Sequence, residues 1–443
     1  MFALSGCEQS KHVDRIKQRG ELIVATLNSP SSLYEGAQGL EGLEYDLVNQ
    51  FAQEEGLTAR FIALNNIQGI IRAVKRGEVH MAAAGISDTL QRRKILNFSL
   101  PYQTISEKLI YRRGSKRPRS LHQIQANQLR VAAESSHIET LSSERNNHPF
   151  LDWVTEQQLS TFELLDAIDR NEIAFTIADS NDIAIAQRIF RYIKPAFTVK
   201  KDQKLSWAFP KQPDISLRLA ADRFLTRVKS DGTLARLIER YYGHSHRLNF
   251  VDKRDFRRHM QNRLPKYLSY FKNAENDTGI DWRLIAAIGY QESHWRANAV
   301  SPTGVRGIMM LTQATAKQLS ISNRRDPQQS IKGGARYLKN IEKKIPKRIT
   351  GRDRLWLALA GYNVGFGHLE DARILTQRQG GNPDLWMDVK KHLPLLTKKN
   401  YYSTLKHGYA RGHEPVNYVE NIRNYYDLLV WYDQNPLALI DKK

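Results

Sequence analysis

An α/β fold over the first half of the chain, followed by an almost wholly helical second half, is what the sequence predicts, and three observations carry that reading. Short apolar strand patterns alternate with amphipathic helical ones up to Gly243. From Pro265 onward apolar residues recur at helical spacings almost without interruption. Between the two lies HSHRLNFVDKRDFRRHM, His244–Met260, a polar and charged string with no strand signal, which reads as the linker. The length of 443 residues suits two or three domains, and 41% hydrophobic residues suffice for ordinary cores. No uninterrupted apolar run is long enough to cross a bilayer as a helix. The expected division is 1–19 as an N-terminal segment, 20–247 as the α/β unit and 248–443 as the helical unit.

In the first half, ELIVATL, Glu21–Leu27, is a buried-strand pattern, and Gly39–Gly56 reads as a turn leading into an amphipathic helix. FIAL near Phe61, a helix before Gly77, HMAAAGIS from His80, VAAES from Val131 and EIAFTIADS from Glu172 continue the alternation. In the second half, helices are expected near Pro265–Thr278, Asp281–Ser293, Gln313–Leu319, Ile331–Lys344, Arg352–Tyr362 and Tyr418–Trp431. No internal repeat or low-complexity tract is visible.

The run QESHW, Gln291–Trp295, places an acid on an apolar stripe. Read back from Glu292, Ile288, Ile285 and Trp282 fall at helical spacings, so the carboxyl continues a face meant for burial. A carboxyl in apolar surroundings has its neutral form favoured, which is what a general acid working near neutral pH requires. The bland alternative is a helix-terminal Glu turned to solvent or paired with Arg296. After Ser293 comes SPTGVRGIMMLT, Ser301–Thr312, whose Gly304 and Gly307 suit tight turns, and no Asp or Glu occurs between Ser293 and Arg325. LALAGYNVGFG, Leu357–Gly367, ends a helix with Tyr362 and Asn363 before a glycine-rich stop, and HEPVNYVENI, His413–Ile422, carries Tyr418.

These four motifs in this order resemble the catalytic domain of the lysozyme-like lytic transglycosylases, which cleave the glycan strands of bacterial peptidoglycan. The resemblance implies an all-α, or α+β lysozyme-like, catalytic domain with Glu292 as sole catalytic acid and base. It also implies that Ser293, Tyr362 and Asn363 shape the sugar subsites and that Tyr418 lies close to the Glu. Many members carry Gln where this chain has Met310, so polar contacts made by that Gln are in question, while Met309 and Met310 are expected to line an apolar subsite wall. Glycosidases commonly use two carboxylates, with substrate-assisted enzymes as the exception. One Glu implies that the substrate supplies the second group, closing a 1,6-anhydro ring on muramic acid, so that the enzyme is a lyase. A hydrolytic lysozyme is the rival reading, should Asp326, Glu342 or Glu414 fold back beside Glu292. A binding or sensing protein that grips glycan without cutting it is the rival from another class.

In the first half, ISDTLQRRKILNFSLPY, Ile86–Tyr102, resembles the signature of the family 3 bacterial solute-binding proteins, whose two lobes close on an amino acid. That resemblance covers Glu21 to Gly243. It implies that Arg92, three residues after Thr89, binds a ligand carboxylate by a bidentate fork, and that Asp179 holds the ammonium. An amino acid or muropeptide is then the expected ligand, and its binding is expected to modulate cleavage. LSGC, Leu4–Cys7, resembles a lipobox in which Cys7 is lipidated. Only six residues precede the Cys, too few for a signal peptide, so the chain is read as truncated upstream or misassigned at its start.

The formal charge of +21 calls for anionic partners, and YRRGSKRPR, Tyr111–Arg119, and KKIPKR, Lys343–Arg348, are its densest basic runs. No zinc-finger spacing, RNA-binding aromatic signature or basic zipper is present, so nucleic acid is not expected. Peptidoglycan glycan strands and an anionic outer-membrane surface are the partners expected, with a periplasmic location attached to the outer membrane. His244 with His246 and His407 with His413 lack a third ligand at metal-binding spacing, so no metal and no cofactor are expected.

Overall fold

A computed structural model of the protein describes residues 11–36, 39–125, 127–243, 250–302 and 304–434. Cys7, His244 and His246 lie outside the described residues. The chain divides into two compact units, Met1–Gly243 and His244–Lys443.

In the first unit, Glu21–Leu27 pairs in parallel with Thr58–Leu64 on one side and Met81–Ala82 on the other. Parallel neighbours need a crossover, supplied by the helices Leu43–Glu54 and Ile67–Lys75. Ala208–Pro210 and Leu96–Phe98 complete a five-stranded sheet in the order Thr58–Leu64, Glu21–Leu27, Met81–Ala82, Ala208–Pro210, Leu96–Phe98. A second, antiparallel sheet has the order Phe175–Asp179, Gln103–Arg112, Ile193–Leu205. The chain leaves the first sheet along Gln103–Arg112 and returns along Ile193–Leu205, so two lobes are joined by paired strands. Each lobe has its own core, one around Leu22, Phe51, Met81, Trp207 and Phe224, the other around Leu109, Val131, Ile177 and Ala196. Glu44, 2% exposed, is fixed inside the first lobe by three donors: the hydroxyl of Tyr102, the indole of Trp207 at 3.0 Å and the amide of Gly85 at 2.9 Å.

The second unit is helical, with isolated bridges Val300 to Arg306 and Arg306 to Leu311 as its extended pairing among the described residues. Trp282–Ser293 runs through its core, with Leu284 to Tyr290 all buried. His413–Gln434 and Pro327–Lys344 pack against it.

Three expectations are corrected. The N-terminal segment 1–19 is not wholly separate, because the helix His12–Arg19 buries Val13 and Ile16 and packs on the helix Ser216–Ser230. The linker reading of His244–Met260 fails from Phe250 on, where a helix Phe250–Asn262 puts Phe256 and Met260 into the helical core. The Phe256 ring lies 4.9 Å from that of Tyr425 and 4.6 Å from that of Tyr290. The helix set was also incomplete: Phe366–Arg378 and Trp386–His392 are helical, and the helix placed at Ile331 starts at Pro327, where Asp326 caps it by accepting from the Gln329 amide at 2.8 Å.

Candidate active site

The helix Trp282–Ser293 starts with Asp281 accepting from the Arg283 amide at 2.7 Å and ends with His294 in the left-handed conformation. That reversal lets Trp295 fold back, and its indole donates to the carbonyl of Ala286 at 2.8 Å. The end of the helix is thereby held against its own body, with Glu292 in its last turn, one residue from the end. Ser293 is buried, and its hydroxyl contacts the carbonyls of Ile308 at 2.9 Å and Gly289 at 3.2 Å. Ser293 therefore fastens the helix end to the following loop, which corrects the expectation of a side chain presented to sugar.

That loop turns at Gly307, whose φ of +85° is left-handed, and a Cβ there would stand 1.8 Å from the carbonyl oxygen of Arg324. The close approach admits glycine alone. Met309, 1% exposed, is buried, and a Cβ on Gly334 would meet its Cε at 2.6 Å. It fills the seam with the helix Pro327–Lys344 rather than lining a subsite, a second correction. Met310, half-buried with φ of 46°, is the neighbour that keeps an accessible side chain.

Glu292 is half-buried, and the Tyr418 hydroxyl donates to its Oε1 at 2.6 Å. Burial pushes the Glu292 carboxyl up to about 7, against the pull of the Tyr418 hydrogen bond, which favours the anion. Tyr418 and Tyr362 are both raised well above the usual phenol range by burial and by the facing Glu292. The Tyr362 ring is stacked on that of Tyr418 at 6.2 Å, and Tyr337 meets Tyr362 edge-on at 5.2 Å. The sequence reading missed Tyr337, since a lone Tyr in the middle of a helix carries no signal of its own. Asn363 is exposed beside Tyr362, at the end of the helix Gly351–Val364 that Gly365 stops.

Among the described residues no second carboxylate acts on Glu292, whose shift has burial and Tyr418 as its causes. The three acids that were candidates are engaged elsewhere. Asp326 caps its helix, Glu342 pairs with Lys339 at 2.8 Å, and Glu414 pairs with Arg411 at 3.2 Å.

In the first unit, Thr89 caps the short helix Leu90–Arg93 by accepting from the Arg92 amide at 3.2 Å. Arg92 is buried and donates to the carbonyls of Ser87 at 3.1 Å and Glu134 at 2.9 Å, with Glu139 at 3.7 Å. Its fork is thus occupied by the protein itself. Arg93 points outward and chelates Asp88. Asp179 lies 3.1 Å from His137 Nε2. Neither His407 nor His413 joins a group of three ligating side chains among the described residues.

Comparison with known proteins bears on both units. Residues 269–384 match the Transglycosylase SLT domain, and residues 22–244 match the Bacterial extracellular solute-binding proteins, family 3. The chain is 44% identical to the membrane-bound lytic murein transglycosylase F of Alcanivorax borkumensis, over 96% of this chain and 91% of that protein. It is 43% identical to the protein of the same description in Ectopseudomonas mendocina, over 99% of this chain and 90% of that one. The corresponding protein of Idiomarina loihiensis is 44% identical, with 95% of this chain and 92% of that one covered.

Proposed function

This chain belongs to the lytic murein transglycosylase F family, and from that premise we propose how its residues cut peptidoglycan. The protein is a peptidoglycan lytic transglycosylase with a solute-binding-type module ahead of its helical domain. Glu292 protonates the oxygen between N-acetylmuramic acid and N-acetylglucosamine. The muramyl 2-acetamido oxygen stabilises C1 as an oxazolinium. The Glu292 carboxylate then takes the proton of the muramyl C6 hydroxyl, which attacks C1 and closes the 1,6-anhydro ring. No water is consumed.

One observation carries this reading: a carboxyl poised at about 7 that touches a tyrosine and no second acid. A group with that balance gives a proton as readily as it takes one back, and the same side chain must do both. Tyr418 holds Oε1 and eases the anionic stage, while Tyr362, Asn363 and Met310 bound the sugar subsites. Hydrolysis by a lysozyme route would need a further carboxylate, and Asp326, Glu342 and Glu414 are committed to other partners. A glycan-gripping sensor has no use for an acid held at this balance.

Digestion of purified sacculi followed by mass spectrometry of the muropeptides tests the proposal. Muramyl ends that each weigh one water less than a hydrolysis product support it, and mainly reducing ends overturn it. We further propose that the first unit binds an amino acid or muropeptide through Arg92, Thr89 and Asp179, and that its binding modulates cleavage. Release of the Arg92 fork from Ser87 and Glu134 is the step such binding requires. The name shared by its relatives, the net charge of +21 and the absence of any membrane-crossing helix among the described residues support a periplasmic protein held at the outer-membrane surface.

A further inference from the structure

Across the antiparallel sheet of the first unit, Glu107 stands directly opposite Asp179. Directly opposed residues share a face, and like charges in that relation destabilise a sheet. Both are buried here, Glu107 at 0% and Asp179 at 9% exposure. From the helix Ser136–Glu144, His137 reaches the same spot and sets Nε2 3.1 Å from Asp179 Oδ1. One ligating atom from each of the three lies within 4.8 Å of the other two.

Neither carboxylate oxygen of Glu107 has a hydrogen-bond partner, and neither has His137 Nδ1. Glu44 shows how the same unit satisfies a buried carboxylate by hydrogen bonds alone, with three donors converging on it. Glu107 has none of these. Two cations stand near: Arg92, held by Ser87, Glu134 and Glu139 but within electrostatic reach of Asp179 and Glu107, and Lys200, opposite Glu107 on the other side, which bonds the Thr140 hydroxyl at 3.5 Å. Neither cation donates to Glu107, whose two oxygens stay without a direct partner among the described residues.

We propose that Glu107, His137 and Asp179 bind a divalent first-row transition-metal ion, at a site separate from the glycan-cutting chemistry. One imidazole and two carboxylates suit Zn²⁺ or Mn²⁺, and the lack of a thiolate excludes the soft ions. Such ions hold nitrogen and oxygen donors at about 2.0 to 2.2 Å, which sets neighbouring donors about 3.3 Å apart. His137 Nε2 and Asp179 Oδ1 already stand close to that spacing. The ion takes the place of the proton between them and neutralises both carboxylates. Asp179 holds either the ion or a ligand ammonium, so the ion competes with the amino acid or muropeptide proposed for the first unit.

The test uses the full chain, freed of metal by a chelator and titrated with Zn²⁺, Mn²⁺ or Ca²⁺ by calorimetry. One equivalent of Zn²⁺ or Mn²⁺ is expected, with affinity rising with pH as His137 loses its proton. Glu107→Gln and Asp179→Asn should each weaken binding more than about 100-fold, beyond the usual effect of removing an outer-shell partner. Co²⁺ should give an absorption band that His137→Gln abolishes. Absence of Zn²⁺ and Mn²⁺ binding to the native chain at millimolar concentration overturns the proposal, and so does binding of Ca²⁺ alone or binding undisturbed by Glu107→Gln. Should a variant fail to fold, the titration of the native chain and its thermal stabilisation by the ion decide. Glu292→Gln is expected to bind the ion as the native chain does, so failure of the cleavage reading leaves this result intact.

Discussion

The helical unit keeps Glu292 half-buried with one tyrosine hydroxyl for company, while the α/β unit buries Glu107 and Asp179 face to face across a sheet. Among the described residues Glu292 has a single donor and no charge acting on it, so its protonation is free to change near neutral pH. Glu107 and Asp179 confront one another, and a proton on one of them is a poor substitute for a cation between them. An isolated acid in apolar surroundings makes a proton carrier, and a pair makes a cation site. Glu44, with three donors, is a third outcome: a structural anchor.

The largest expected effect breaks the contrast at its reactive end. Glu292→Gln fills the same space without a transferable proton and should reduce murein cleavage by about 10² to 10⁴ fold, toward the upper end for an enzyme with one acid. Circular dichroism should show the fold intact. Retention of a tenth of the native turnover would remove Glu292 from its role. Next in size is Gly307→Ala, which sets a Cβ into the Arg324 carbonyl at a left-handed φ. A loss of about 3 kcal/mol, read by denaturant unfolding, is expected from the clash and the strain together.

Tyr418→Phe tests the single donor. Its hydrogen bond lowers the Glu292 pKa, so removing it raises that pKa further. The protonated acid then survives to higher pH, and the alkaline limb of the rate profile, expected near 7 in the native enzyme, should move upward as turnover falls about tenfold. A limb that stays in place would show that another group governs it.

The smallest effect lies in the α/β unit. Asp182 is raised to about 7 in the fold from an ordinary value of 3.8. The folded state therefore binds a proton more tightly than the unfolded one, and the stability from this group, fully present below about 4, is lost as pH rises through about 7. Asp182→Asn removes that loss and should make the protein more stable than native at pH 8 by on the order of 1 kcal/mol, with little gain at pH 4. Equal melting differences at both pH values would contradict the assignment.

The acid helix was legible because its apolar spacing, cap and left-handed end all lie within the segment Asp281–Trp295. The helix Phe250–Asn262 was not, because its charged residues outnumber its apolar ones. Its buried face packs on Tyr290, Trp295 and Tyr425, far along the chain. Ser293 and Met309 were expected to shape the sugar subsites, yet both side chains are buried. Whether a side chain beside an acid faces sugar or core depends on Ile308 and Gly334, and spacing does not encode that. Glu107 escaped notice altogether: its relation to Asp179 is a sheet register, and register emerges only when strands distant in sequence meet.

The strand order of the first lobe carries a consequence for how the protein is made. Ala208–Pro210 sits between Met81–Ala82 and Leu96–Phe98, so those earlier strands have no mate on their inner edges until the whole second lobe has been synthesised. A nascent chain lacking Ala208 thus exposes two open strand edges, and closure must await a contact spanning a long loop, which is slow. The late strand thus sets the earliest point at which the sheet can close. Until Ala208 has been made, the first lobe stays unfinished and its two open edges must be kept from pairing elsewhere.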